Sequence, residues 1–178
     1  RTDPYADSAL TIEEDETLAE TLGEYGIAVD DHIVVYAKRG MDAGFLLGLL
    51  DYAGAENISI LDGGIIAWEL ADYELSDEEP DWEEKTFEIK SRKNLIVDTD
   101  YVKENLDNPA VKIVDVRVLQ QSTGLTGHCL ADRPGSIPGS LKFPLPGLYM
   151  DDSYLKSAEE LLWVLRERNI RPNQTIVV

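Results

Sequence analysis

Four short apolar runs rich in β-branched residues constrain this chain more than any other feature: residues 33–36 (IVVY), 58–61 (ISIL), 112–116 (KIVDV) and 175–178 (TIVV). Near-continuous apolar runs this short suit strands covered on both faces, as in a parallel sheet. The segments between them carry helical spacing instead. Residues 12–25 put Ile12, Leu18, Leu22 and Tyr25 at that spacing, with Thr11 as the expected N-cap and Glu14 three residues on. Residues 41–52, 65–71 and 98–106 predict three more helices, and Trp68 on the second of these is expected to plug a core. Residues 157–169 predict another, with Ser157 as cap and Glu160 three residues on. Strands alternating with helices make βαβ units, so the fold class is α/β.

Charge then narrows the partners. The net charge is −19 over 178 residues. No basic surface is available to neutralise phosphates, so nucleic acid is an improbable partner, and anionic lipid is disfavoured for the same reason. The longest uncharged apolar stretch, about residues 43–50, is far short of a membrane span. Residues 1–31 and 69–88 each hold ten acidic residues against one basic, whereas residues 89–178 are nearly balanced. Residues 72–93 read as an acidic interdomain linker whose large anchors are Trp82 and Phe87, expected to dock on both neighbours. A single cysteine, Cys129, excludes an internal disulfide framework and a cysteine-rich zinc site, and two histidines leave little for a metal cluster. No cofactor is implied. Residues 1–25 are acidic without an apolar stretch and do not read as a signal peptide. The compartment is expected to be cytoplasmic, with export after loss of a leader as the alternative.

The chain also repeats itself. YGIAVDDHIVVY (25–36) and RNIRPNQTIVV (168–178) share a helix end, an Ile, a polar turn and an Ile-Val-Val strand, which sets a period near 143 residues. The first copy continues into a loop and helix after its strand; the second is expected to break off in mid-domain.

Three motifs in order carry a resemblance: LDGGIIAW (61–68), IVDVR (113–117) and RPGSIPGS (133–140). The chain resembles the tandem rhodanese family, the two-domain thiosulfate sulfurtransferases. IVDVR is similar to the family's Asp-x-Arg strand end. RPGSIPGS is similar to its Gly-His-Ile-Pro-Gly-Ala loop, with Ser136 in place of the histidine. The resemblance implies two rhodanese-like domains of parallel sheet flanked by helices, each partly represented. Residues 1–71 would be the C-terminal part of the first, and residues 94–178 the N-terminal part of the second. It implies a cysteine that opens a six-residue loop after a buried strand, takes a sulfane sulfur from a small anionic donor as a persulfide, and passes it to cyanide or another thiophilic acceptor.

In the first copy that position is Ala37, in the loop Ala37, Lys38, Arg39, Gly40, Met41 and Asp42, so this domain is expected to be silent. In the second copy the nucleophile is expected just after Val178. The active-site neighbourhood comprises Asp115, Arg117, Gln121 and Arg133. Asp115 and Arg117, two apart on a strand end, point the same way. They either form an ion pair that caps a loop, or Arg117 lends positive field to an anion. Gln121 stands where the family commonly has an arginine that contacts substrate, which leaves mercaptopyruvate or a thiol persulfide as donors beside thiosulfate. Arg133 is a candidate for the missing charge. Cys129, next to His128, is expected to be an incidental loop residue. The alternative function is a non-catalytic rhodanese-like binding or regulatory module.

Overall fold

A computed structural model describes residues 14–126, 133–150 and 154–178 of the chain. The predicted N-cap Thr11, together with His128 and Cys129, lies outside these residues. The chain divides into two units.

The first unit spans the described residues up to Leu95, with Tyr154 and Leu155. Helix α1 (Asp15–Glu24) buries Leu18 and Leu22, one turn apart. It ends in a Schellman motif: Gly26, at φ +71°, donates to Gly23 O, and Ile27 donates to Leu22 O. Strand β1 (His32–Val35) follows, then a 3₁₀ turn (Gly40–Ala43), helix α2 (Gly44–Ala53) and strand β2 (Asn57–Ile60). Strands β1 and β2 pair in parallel, with Ile33 opposite Ile58. The core gathers Leu18, Leu22, Val35, Leu50 and Tyr52. Helix α3 (Gly64–Leu70) closes the βαβα sequence.

The expected linker, residues 72–93, makes its described contacts with the first unit. From Trp82 onward the segment is strapped along the first unit, and both aromatic anchors lie on it. Lys85 N–H donates to Gly23 O, Lys90 N–H to Ala53 O and Arg92 N–H to Tyr52 O. Trp82 Nε1 donates to Glu24 O, and Phe87 is 4% exposed within the core cluster. The Ser91 and Tyr52 hydroxyls both donate to Asp15, at 2.7 and 3.0 Å, which ties the strap to α1 and α2. Those two hydrogen bonds, with Lys93 nearby, hold the Asp15 carboxyl below its ordinary pKa. One expectation is corrected, that for Trp68. It is no core plug: it is 39% exposed, because its ring lies against Tyr73 and its indole N–H bonds Glu74 O on the acidic segment.

The second unit holds the described residues 96–150 and 156–178. Helix α4 (Thr99–Glu104) is shorter than predicted and is capped by Asp98, whose Oδ1 accepts from Tyr101 N–H at 2.7 Å. Strand β3 (Val111–Asp115) is central. A one-turn helix α5 (Leu119–Ser122) follows, then strands β4 (Leu141–Lys142) and β5 (Tyr149–Met150). The two-residue strand β6 (Tyr154–Leu155) belongs to the first unit, where Leu155 N–H donates to Asp62 Oδ1. Helix α6 (Ala158–Glu167) leads to strand β7 (Thr175–Val177). Both neighbours of β3 run parallel to it, in the order β4-β3-β7, with Ile113 opposite Val177 and Asp115 opposite Lys142. Val114, Phe143 and Ile170 form the buried cluster, with Arg168 over the Phe143 ring.

Helix α6 carries the predicted capping box: Ser157 Oγ accepts from Glu160 N–H, and the Glu160 carboxylate accepts from Ser157 N–H. Ser157→Ala is expected to destabilise the second unit by about 1 kcal/mol, read as a lower urea midpoint.

Helices α1 and α6 share an end motif. Helix α6 also ends in a Schellman motif, with Asn169 at φ +55° donating to Arg166 O and Ile170 donating to Leu165 O. Asn169 takes the place of Gly26, a left-handed position that asparagine tolerates better than most residues. Each of the two segments is a ten-residue helix, the same end motif and a parallel strand that begins within a few residues of it.

Candidate active site

In parallel α/β sheets, ligands bind beyond the carboxyl ends of the strands. In the second unit that end carries Asp115 and Arg117. The two side chains meet as a forked pair: Arg117 Nε donates to Asp115 Oδ1 at 2.9 Å and Nη2 donates to Oδ2 at 2.6 Å. Nη2 also donates to Gly135 O at 2.7 Å, and Arg117 N–H donates to Asp115 Oδ1 at 3.1 Å. The Asp115 side chain is 8% exposed and that of Arg117 is 40% exposed. The Arg117 guanidinium beside Asp115 holds its carboxyl below the ordinary value, and Asp115 in turn raises Arg117. The ion-pair reading of the two residues is therefore what the structure contains. It does not exhaust the arginine, because Nη1 makes no hydrogen bond to any described residue.

A cavity of about 490 Å³ opens beside this pair, with Val97, Val102, Ile137 and Val177 among its walls. Asp115 and Arg117 line it; Gln121 and Arg133 do not. Gln121 lies half-buried on α5. Arg133 is exposed and pairs with no described residue. The structure thus brings together two of the four expected neighbours. Sequence reasoning missed Gly135, whose carbonyl locks Arg117 from 18 residues away. Its only signal was the RPGSIPGS loop itself.

In the first unit, the loop that begins at Ala37 is closed by its own charges. Arg39 Nε and Nη2 donate to the two oxygens of Asp42 at 3.1 and 3.0 Å, and this lowers the Asp42 pKa. Ile65 N–H donates to Ala37 O, which anchors the loop to α3. Gly64 packs against it at φ +61°; a Cβ there would fall 2.6 Å from Ala37 O, so only glycine fits. An alanine methyl at position 37 offers no nucleophile.

Among the described residues, no helix is long and apolar enough to cross a membrane, and no cluster of three His, Cys, Asp or Glu is arranged to hold a metal.

Residues 4–71 match the rhodanese-like domain family. A Haloferax volcanii protein provisionally named thiosulfate sulfurtransferase is 29% identical over 169 residues, 91% of this chain and 59% of that protein. The thiosulfate sulfurtransferase of Rattus norvegicus is 24% identical over 99% of this chain and 60% of its own length. The human 3-mercaptopyruvate sulfurtransferase is 25% identical over 91% of this chain and 56% of its own. The chain therefore spans rather more than half the length of these relatives. Among solved structures, an anaerobic ergothioneine biosynthesis enzyme from Chlorobium limicola superposes with a TM-score of 0.83 at 23% identity, over 92% of this chain and 45% of that one. That likeness concerns fold, and it agrees with the parallel sheets described above. Residues 4–71 thus match a rhodanese-like domain, and the chain is similar to sulfurtransferases along most of its length.

Proposed function

We propose that the protein is a sulfurtransferase built of two rhodanese-like domains, with residues 1–71 in the first and 94–178 in the second. Its first-domain loop, with Ala37, is silent. Its nucleophile is a cysteine standing just after Val178, where the 143-residue period sets the counterpart of Ala37. The thiolate attacks the sulfane sulfur of a small anionic donor, thiosulfate or a related compound. The donor's sulfur bond breaks, and the leaving group (sulfite, from thiosulfate) departs with the electron pair. The outer sulfur of the persulfide then passes to cyanide or a thiol, and the thiolate is restored. Arg117 serves the anionic donor through Nη1, while Asp115 and Gly135 O hold its guanidinium in place.

The observation that carries this reading is the cavity at the carboxyl ends of β3 and β7, walled by apolar side chains and bordered by an oriented guanidinium. The degenerate loop at Ala37 favours a second reading, a non-catalytic rhodanese-like module. The two separate on one measurement with the natural protein. Incubation with thiosulfate or mercaptopyruvate is expected to add about 32 Da, one sulfur atom, to a peptide that follows Val178. That sulfur should be released as thiocyanate by cyanide. No added mass with either donor would leave the module.

A further inference from the structure

Helix α6 packs Val164 and Leu165 against the cluster of Val114, Phe143 and Ile170. Its outer face carries Glu159, Leu162, Trp163 and Arg166, at the spacing of one helical stripe. All four are exposed, Leu162 by 47% and Trp163 by 64%. The other two tryptophans are each held by an indole hydrogen bond to a backbone carbonyl, Trp68 to Glu74 and Trp82 to Glu24. Among the described residues Trp163 has no such acceptor, and the side chains of Glu159 and Arg166 have no ion-pair or hydrogen-bond partner. Glu160 beside them is engaged in the capping box.

Helix α1 shows what meets such positions from the other half of a domain. The two end motifs set Ile27 against Ile170, so Glu16, Ala19, Glu20 and Gly23 stand where α6 has Glu159, Leu162, Trp163 and Arg166. On the two-domain reading, on which this inference rests, α1 is packed by the elements that follow such a helix and α6 by those that precede it. Glu16 and Glu20 are exposed beside the first set; Glu159 and Trp163 are exposed beside the second. Ala19 is half-buried, and Gly23 is buried under the strap, where a Cβ would fall 2.4 Å from Lys85 O. Arg166 has that Cβ and a long side chain besides, so no strap follows the same path across α6.

The stripe is also self-complementary. An antiparallel pair of α6 helices, about a twofold axis between Leu162 and Trp163, sets each Leu162 against the partner's Trp163 and each Glu159 against the partner's Arg166. Two copies of a chain at −19 repel each other, but the acidic excess lies in residues 1–31 and 69–88. Residues 89–178, which include α6, are nearly balanced and allow close approach. We propose that the outer face of α6 docks a second copy of this chain in that antiparallel arrangement. Two ten-residue helices make a contact at the small end of protein interfaces, so the dimer is weak and reversible.

Sedimentation of the natural protein from micromolar to millimolar concentration tests this. Self-association is expected, and Trp163→Ala is expected to weaken it about tenfold. Glu159→Arg and Arg166→Glu are each expected to weaken it about tenfold as well, because like charges then meet across the axis. An equimolar mixture of these two variants is expected to associate again, since each presents the charges that the other lacks; that recovery also shows both to be folded. A monomer at every concentration would overturn the proposal and leave the stripe to a different partner. Association untouched by Trp163→Ala, or a mixture no better than its parts, would overturn it by placing the contact elsewhere. Mass addition by thiosulfate, measured on the same samples, reads the sulfur-transfer reading separately. A persulfide without a dimer would sink this inference alone, and a dimer without a persulfide would sink that reading alone.

Discussion

Truncating Phe87 to alanine is expected to destabilise the first unit by about 3–5 kcal/mol. The expected signature is a lower urea midpoint at unchanged slope. The residue sits in one of the most acidic stretches of the chain, where ten acidic residues stand against one basic over residues 69–88. Composition alone makes it a solvated segment. Its side chain is nevertheless 4% exposed and shares a cluster with Leu18, Leu22, Leu50 and Tyr52. The backbone on either side is pinned, Lys85 to Gly23 and Lys90 to Ala53. Removing the ring leaves a void between two elements already held by hydrogen bonds, so collapse can refill little of it. Leu75→Ala, in the same acidic run but 56% exposed, is the control and is expected to change stability by no more than about 0.5 kcal/mol. A Phe87→Ala loss as small as that of the control would show that the ring does not fasten the acidic segment to the first unit.

Arg117→Ala is expected to lower both the stability of the second unit and, on the sulfur-transfer reading, the affinity for an anionic donor. The substitution strands the Asp115 carboxylate, whose side chain is 8% exposed. Breaking a fully buried pair costs about 3–5 kcal/mol. Arg117 is 40% exposed, and solvent screening brings the expectation to about 2 kcal/mol. The pH dependence has a definite sign. The pair lowers the Asp115 pKa from 3.8, so its contribution is present above that value and is lost as pH falls through the lower folded-state pKa. Without the Arg117 side chain the largest influence that lowers the Asp115 pKa is gone, so the carboxyl protonates earlier on acidification than in the wild type. The gap between wild type and variant is therefore full at neutral pH and narrows below about pH 4. Arg117→Lys is expected to recover little, because one ammonium cannot reach both carboxylate oxygens and Gly135 O in the fork that the guanidinium makes. In donor kinetics the loss is expected in KM more than in kcat, since Arg117 is placed to bind the anion. A kcat loss at unchanged KM would count against that placement.

What the sequence determined by itself is what depends on near neighbours. The β-branched runs became β1, β2, β3 and β7 and pair in parallel, but only β3 is covered along its whole length; β1, β2 and β7 keep exposed positions. Ser157 and Glu160 formed their capping box because both partners lie within one turn. Helices α1 and α6 have the same length and the same end motif, because helix length and its left-handed stop at Gly26 or Asn169 are local properties. Of the candidate site, Asp115 and Arg117 were legible for the same reason, being two apart on a strand. Tertiary structure alone decided the rest. Trp68 read as core but is turned toward the acidic segment by Tyr73 and Glu74, and which cluster the anchor Phe87 would join could not be read from its acidic surroundings. Gly135, Gln121 and Arg133 looked alike as loop and helix residues near a strand end; only Gly135 O reaches Arg117. A side chain's burial depends on which distant segment covers it, and a strand's pairing on which distant strand lies beside it. Periodicity along the chain carries no address for either, so those choices appear only once the backbone has closed.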